Sequence, residues 1–221
     1  MSRSDRSHHP LAAVLRRVAA SSCPGQFNFH CHTTCSDGSL EPSSLAEQAL
    51  ELGLDHLAVT DHHSHQAHGP IAAMFQRRWQ QGSRVPSLWR GAEISCLLEG
   101  CLVHVLALGF AEDHSSLQPY LQGQAVVGGS LRAEAVLAAI HAADGLALLA
   151  HPARYRLPYT RLIDAAAALG FDGAEAWYDY QQQARWQPTP LICEAIAARL
   201  EEHGLLMSCG TDTHGLALHG R

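Results

Sequence analysis

FNFHCHTTCSDG, residues 27–38, decides how the rest of the chain is read. In a β-strand alternate side chains share a face, so Asn28, His30 and His32 point one way and Phe27, Phe29 and Cys31 the other. Two imidazoles on one face at a strand end can grip a single metal ion. Asp37 sits in a turn with Gly38, close enough to join them.

Working outward, short apolar runs alternate with helical segments. Phe27–His32 reads as the first strand, and SSLAEQALELG follows as a helix with capping-box spacing between Ser44 and Glu47 and a stop at Gly53. DHLAVTDHH is the next strand. RGAEISC and CLVHVLALGF are two more, joined by a short turn as a hairpin. SLRAEAVLAAIHAADG reads as a helix capped by Ser130, followed by strand LALLAHP, helix TRLIDAAAALG, strand DGAEAWY, helix TPLICEAIAARLEEHG and strand LLMSCGTD. Thr189–Pro190 supplies an N-cap and an N1 proline. About seven strands alternating with helices predict an α/β fold with a mostly parallel sheet, open or closed into a barrel. No glycine-rich dinucleotide fingerprint follows the first strand. Residues 111–129 have weak periodicity and several glycines, as a lid or binding loop does.

Metal-type residues recur at the ends of these strands. Thr60-Asp61-His62 ends the second, Glu93 the third, His104 lies on the hairpin return, and Ala150-His151-Pro152 ends the fifth. The last strand runs into Gly210-Thr211-Asp212-Thr213-His214-Gly215. The C-terminal edge of a parallel sheet or barrel is where active sites are built. Charged residues of the helices, such as Glu47, Glu51, Glu201 and Glu202, read as ordinary surface.

Composition narrows the classes. The 221 residues suit one domain, two at most, and 47% are apolar, enough for a full core. All 15 basic residues are arginines. The absence of lysine removes Schiff-base chemistry and a P-loop lysine. A net charge of −6 argues against a broad nucleic-acid or anionic-membrane surface, without excluding a local basic pocket. No run approaches membrane-spanning length. Seven scattered cysteines with no CxxC pair read as free thiols of a cytoplasmic protein. Residues 1–25 read as a mobile basic tail or short helix.

The ordered set HxHTxxSDG, TDH, AExS, VH, AHP and GxDxHG resembles the PHP (polymerase and histidinol phosphatase) superfamily, and the resemblance covers residues 26–215. It implies a PHP domain over 26–221, built as a distorted (β/α)7 barrel with its active site at the C-terminal ends of the strands. It implies two to three divalent ions and phosphoester hydrolysis by a metal-bridging hydroxide. Carried over residue by residue, His30, His32, Asp212 and Glu93 would hold one ion. Glu93 would bridge to a second, completed by His104 and His151, and Asp37, His62 and His214 would hold a third. The mixed nitrogen and oxygen set suits Mn, Fe or Zn. HPARY, residues 151–155, is similar to the HPGRY stretch of nucleotide-cleaving members, which makes Arg154 a phosphate contact beside the catalytic Glu93.

The substrate expected on this ground is a nucleotide or short oligonucleotide phosphate. The alternatives are a histidinol or sugar phosphate, and a non-catalytic metal-binding scaffold. Two departures bear on it: only 46 residues separate His104 from His151, where nucleotide-cleaving members often carry a helical insertion, and the chain ends seven residues past His214, where a closing helix is usual. Asp61 reads as a partner that orients a ligand imidazole. His63, His65 and His68 read as loop histidines or substrate contacts, and Glu175 as a strand-end carboxylate held by an arginine.

Overall fold

The computed structural model describes residues 8–220. Seven strands form one sheet in sequence order: β1 Phe27–Asn28, β2 His56–Val59, β3 Ser87–Leu98, β4 Cys101–Leu108, β5 Leu146–Leu149, β6 Gly173–Trp177 and β7 Leu206–Cys209. All neighbours pair in parallel except β4, which is antiparallel to both β3 and β5. The reversal comes from a two-residue turn. Glu99 and Gly100 both have positive φ, at 53° and 66°, the combination whose twist matches a hairpin. Among the described residues six α-helices accompany them: α1 Pro10–Leu15 before β1, and between the strands α2 Pro42–Glu51, α3 His68–Gln80, α4 Ala133–Ala142, α5 Tyr159–Leu169 and α6 Pro190–Glu202.

The sheet curls into a nearly closed barrel. Past β1 the chain turns from β2 towards the last strand: Phe29 N donates to Cys209 O, Asp212 N to His30 O and His32 N to Thr213 O, at 2.8–3.0 Å. Sharing two partners costs the 29–32 segment its regular pairing, so β1 stops at Asn28 rather than running to His32.

α1 caps the end at which the parallel strands begin. Its Leu11, Ala12 and Leu15 are buried with Phe27, Phe29, Leu106, Leu108, Leu146 and Leu148. Residues 8–25 are therefore not a mobile tail; the short helix in them completes a core, while residues 1–7 lie outside the described residues. A second core lies between the sheet and α4, α5 and α6, and a third under α2 and α3.

Several local expectations shift. α2 starts at Pro42 with Glu41 as an N-cap that makes no side-chain bond, because the fixed φ of proline opens the helix before the Ser44–Glu47 pair can act. α4 starts at Ala133 and not at a Ser130 cap: Ser130 lies in a 3-10 turn, and Arg132 is extended and bridges to Leu97. α3 buries only Ile71 and Phe75 fully, a pattern too sparse to mark a helix in the sequence. Segment 111–129 is pinned by buried Leu117, Tyr120 and Leu121, so it packs beside the barrel and does not line the cleft described below. No helix among the described residues is long and apolar enough to cross a membrane.

Candidate metal centre

Close backbone approaches bring the strand ends together. A Cβ on Gly210 would fall 2.2 Å from His30 Cβ, so only glycine lets the end of β7 pass beside His30. A Cβ on Gly38 would lie 2.5 Å from the His32 carbonyl carbon, which lets the Ser36–Gly38 turn fold back over it. Asp61 ties that loop down. It accepts from Thr33 N, Thr33 Oγ1 and Ser36 Oγ, each at 2.7 Å. Its short carboxylate reaches the loop carrying Asp37, not an imidazole, which corrects the role expected for it.

His30 Nε2 and His32 Nε2 each lie 3.2 Å from Glu93 Oε2 and 3.2 Å from Asp212 Oδ1. The other Glu93 oxygen faces a second pair, 2.9 Å from His104 Nδ1 and 3.2 Å from His151 Nε2. Towards solvent, Asp37 Oδ2 is 3.7 Å from His62 Nε2 and 3.4 Å from His214 Nε2.

Potential ligand atoms thus form three overlapping groups, each within 4.8 Å: His30, His32, Glu93, Asp212; His62, Glu93, His104; and His32, Asp37, His62, His214. His32 and His62 each stand between two groups, and His151 approaches through Glu93; the grouping implied by the resemblance kept these apart. The first group is buried, whereas Asp37, His62 and His214 are partly open.

The donor set fits divalent ions. Both ring nitrogens of His32 and Nδ1 of His104 and His151 are buried without a well-aligned hydrogen bond. Buried polar atoms left unpaired are costly, and those of His32 and His104 face carboxylate oxygens of Asp37, Asp212 and Glu93. Their neighbours fix the tautomers. Glu175, buried on β6, receives His30 Nδ1 at 3.2 Å from both its oxygens, leaving Nε2 to face Glu93 and Asp212. His214 Nδ1 lies 2.9 Å from Asp212 O, leaving Nε2 for Asp37. Holding the far ring nitrogen in this way is how ligand imidazoles are oriented.

Backbone strain gathers at the same place: His151 and Asp212 have φ of 27° and 50°. Non-glycine residues reach this region at a cost, one commonly stored at functional sites.

Burial and charge oppose each other throughout. Burial would raise Glu93, but His30 and the bonds from His104, His151 and His30 hold its carboxyl well below the usual range. Burial would likewise raise Asp212, and His30 and His32 pull it well below. Burial would lower His32, yet Asp212 and Glu93 push it up to about 9. For His62 burial wins and takes it to about 4, and burial also lowers His151.

Arg154 reaches over the first group. Its Nη1 donates to Tyr178 Oη at 2.8 Å and to Asp212 Oδ2 at 3.0 Å, and Tyr178 Oη donates to the same oxygen at 2.6 Å. Tyr155 accepts from His104 N at 2.8 Å. Arg154, Tyr155 and seven of the nine residues named as ligands line a cleft of about 340 Å³.

The sequence reading missed Tyr155 and Tyr178 and gave Glu175 the wrong partner. Their only signal was position, just past or at a strand end. His63 lies in the turn after β2 but is not open to a substrate: it is buried, with Nε2 3.2 Å from Ser95 Oγ.

Comparison with known proteins agrees with this fold. Residues 28–112 match the PHP domain family model. The chain is 25% identical to the 5'-3' exoribonuclease Rnm of Escherichia coli, covering 85% of each. It is 28% identical to a 5'-3' exoribonuclease of Haemophilus influenzae over 78% of this chain, and spans 65% of that relative's length. Among solved structures, a proposed metal-dependent phosphoesterase from Bifidobacterium adolescentis superposes with a TM-score of 0.69, at 22% identity and 90% coverage of both chains. An amidohydrolase from Chromobacterium violaceum, solved with sulfate and no metal, gives 0.71 at 21% identity, covering 86% of this chain and 88% of its own. Both structures share the barrel. Its motifs in order, its seven-stranded barrel and the PHP domain matched over residues 28–112 together support a metal-dependent phosphoesterase of PHP type.

Proposed function

We propose that this protein hydrolyses nucleotide or short oligonucleotide phosphates with two to three divalent ions, Mn, Fe or Zn, held by His30, His32, Asp37, His62, Glu93, His104, His151, Asp212 and His214. The observation that carries the reading is the division of Glu93 between two sets of imidazoles, with Arg154 in the same cleft. Ions held there would supply Lewis acidity to phosphoryl oxygens and lower the pKa of bound water. Glu93, held ionised by its imidazole neighbours, offers one oxygen to each of two positions. Asp212 and Glu93 bring buried negative charge that suits cations, while Arg154 brings the opposite charge for an anionic substrate. Its planar guanidinium can hold two phosphoryl oxygens at once. Part of Arg154 is already fixed by Tyr178 and Asp212, so it is pre-oriented for that contact.

The nucleotide class draws support from the exoribonuclease relatives and from HPARY. The scattered cysteines support a cytoplasmic location. The test is a screen of p-nitrophenyl phosphate, histidinol phosphate, sugar phosphates, nucleoside monophosphates and short oligoribonucleotides, with protein reconstituted in turn with Mn, Fe and Zn. Turnover of nucleotides or oligonucleotides above the others supports the assignment. A preference for histidinol or sugar phosphate moves it to that class, and no turnover under any loading rejects catalysis.

A further inference from the structure

The β3–β4 hairpin extends past the metal edge, and its two faces differ. Ile94, Cys96, Leu98, Cys101, Val103 and Val105 are all buried in the core under α4 and α5. The opposite face carries Glu93, Ser95 and Leu97 on β3, with His104 facing Ser95 and Leu102 facing Leu97 across the pair. Glu93 and His104 belong to the metal centre, so Leu97 and Leu102 lie on the face that continues outward from it. They are 37% and 55% exposed, and neither joins a core cluster. Paired side by side, with Leu102 two residues along β4 from His104, which lines the polar cleft, they form an apolar platform. At the strand rise of about 3.4 Å per residue it begins about 7 Å beyond His104.

Arginines stand at both edges of the hairpin. Arg132 bridges to Leu97 in parallel register, which puts its side chain on the same face. Its contact with Glu134, 3.6 Å between two exposed groups, is weak and leaves it able to turn. On the other side Tyr155 holds the backbone of His104, and Arg156 donates to Gly100 O at 2.6 Å. In a chain of net charge −6 this arc of arginines around an apolar face is a local exception. An apolar seat between cations, one step from a phosphate site, suits a base flanked by an anionic backbone.

We infer that Leu97 and Leu102 seat the base and ribose of the nucleotide whose phosphate enters the metal cleft, with Arg132 and Arg156 beside its backbone. The inference rests on the phosphoesterase reading above and adds the element that separates nucleotides from smaller phosphate esters. The platform covers one or two nucleotides only, in keeping with a surface too acidic for an extended strand.

Leu97→Ser with Leu102→Ser tests it in the metal-loaded enzyme. Both leucines are exposed, so the fold tolerates the change. The kcat/KM for a short oligoribonucleotide should fall about tenfold, while that for p-nitrophenyl phosphate, too short to reach the platform, stays within about twofold. The Kd of a hydrolysis-resistant phosphorothioate tetranucleotide, read by fluorescence anisotropy, should weaken by about the same tenfold factor. Leu169→Ser, an exposed leucine at the C-terminal end of α5, which packs under the opposite face of the hairpin, should change neither. Unchanged selectivity and affinity in the double variant overturn the platform. If the wild-type enzyme cleaves none of these esters, the phosphoesterase reading fails, and the anisotropy comparison alone still decides for or against the platform.

Discussion

At the end of the barrel where the strands begin, His9 and His56 sit among aromatic rings and backbone. His9 Nε2 lies 3.2 Å from Gly109 O, and His56 Nδ1 accepts from Trp89 Nε1 at 3.2 Å. Among the described residues neither has a carboxylate within ion-pair distance. At the opposite end six imidazoles, those of His30, His32, His62, His104, His151 and His214, face Asp37, Glu93 and Asp212, with several nitrogens left without a well-aligned hydrogen bond. Histidine is thus common at both ends, and what distinguishes them is the buried carboxylate. One end is finished by packing, and the other presents the donor set of a metal site.

The largest effect expected from this contrast is at Glu93. Glu93→Gln removes the charge shared between two sets of imidazoles and should lower kcat/KM by at least about a hundredfold, above what losing a group that merely supports a ligand costs. Near-normal turnover would mean that the two sets do not depend on this bridge.

Arg154→Ala should lower kcat/KM for nucleotide phosphates roughly ten- to a hundredfold, the cost of one charge-assisted bidentate contact. Arg154→Lys should restore only part, since an ammonium lacks the fork. Loss of metal along with activity would show that Arg154 serves Asp212 and not the substrate.

The packed end should respond in the opposite sense. Leu15→Ala leaves a cavity under α1 and should cost about 3 kcal/mol, lowering Tm by about 6–12 °C. Metal content and kcat/KM below the transition should not change. A parallel loss of metal would break the division between the two ends.

A smaller effect separates the metal-free and metal-loaded protein. In the metal-free protein His32 is raised to about 9, so the stability it contributes is full below about 6.5, its ordinary value, and is lost as pH rises towards 9. His62 is lowered to about 4, so its contribution is present above about 6.5 and is lost as pH falls towards 4. The metal-free Tm should therefore decline from near neutrality towards pH 9. Bound metal requires the neutral imidazole and should remove that alkaline decline. Identical Tm profiles with and without metal would argue against His32 as a ligand.

Most of the barrel and its reactive edge were legible because both depend on spacing. Strand alternation placed His30 and His32 together, and strand-end position marked His62, His151 and Asp212, whereas Glu93, expected at the end of the third strand, and His104 lie mid-strand on the β3–β4 hairpin. What escaped depends on contacts that no spacing encodes. Glu175 looked like any strand-end carboxylate until the fold set it behind His30. Tyr178 meets Asp212 only because β6 and β7 are neighbours. α1 was obscured by the two arginines that follow it, although Leu11, Ala12 and Leu15 carry its buried face. The bridge from Leu97 to Arg132 joins segments too far apart in sequence to be read as a pair.

The measurement that reaches the central claim most directly is metal stoichiometry by elemental analysis, on protein grown with added Mn or Fe. Wild type is compared with the His30→Ala, His32→Ala double variant and with His9→Ala. The account predicts two to three ions per chain in the wild type and in His9→Ala, and at least one fewer in the double variant. Wild-type protein that holds no metal, or a double variant that holds as much as the wild type, would contradict it.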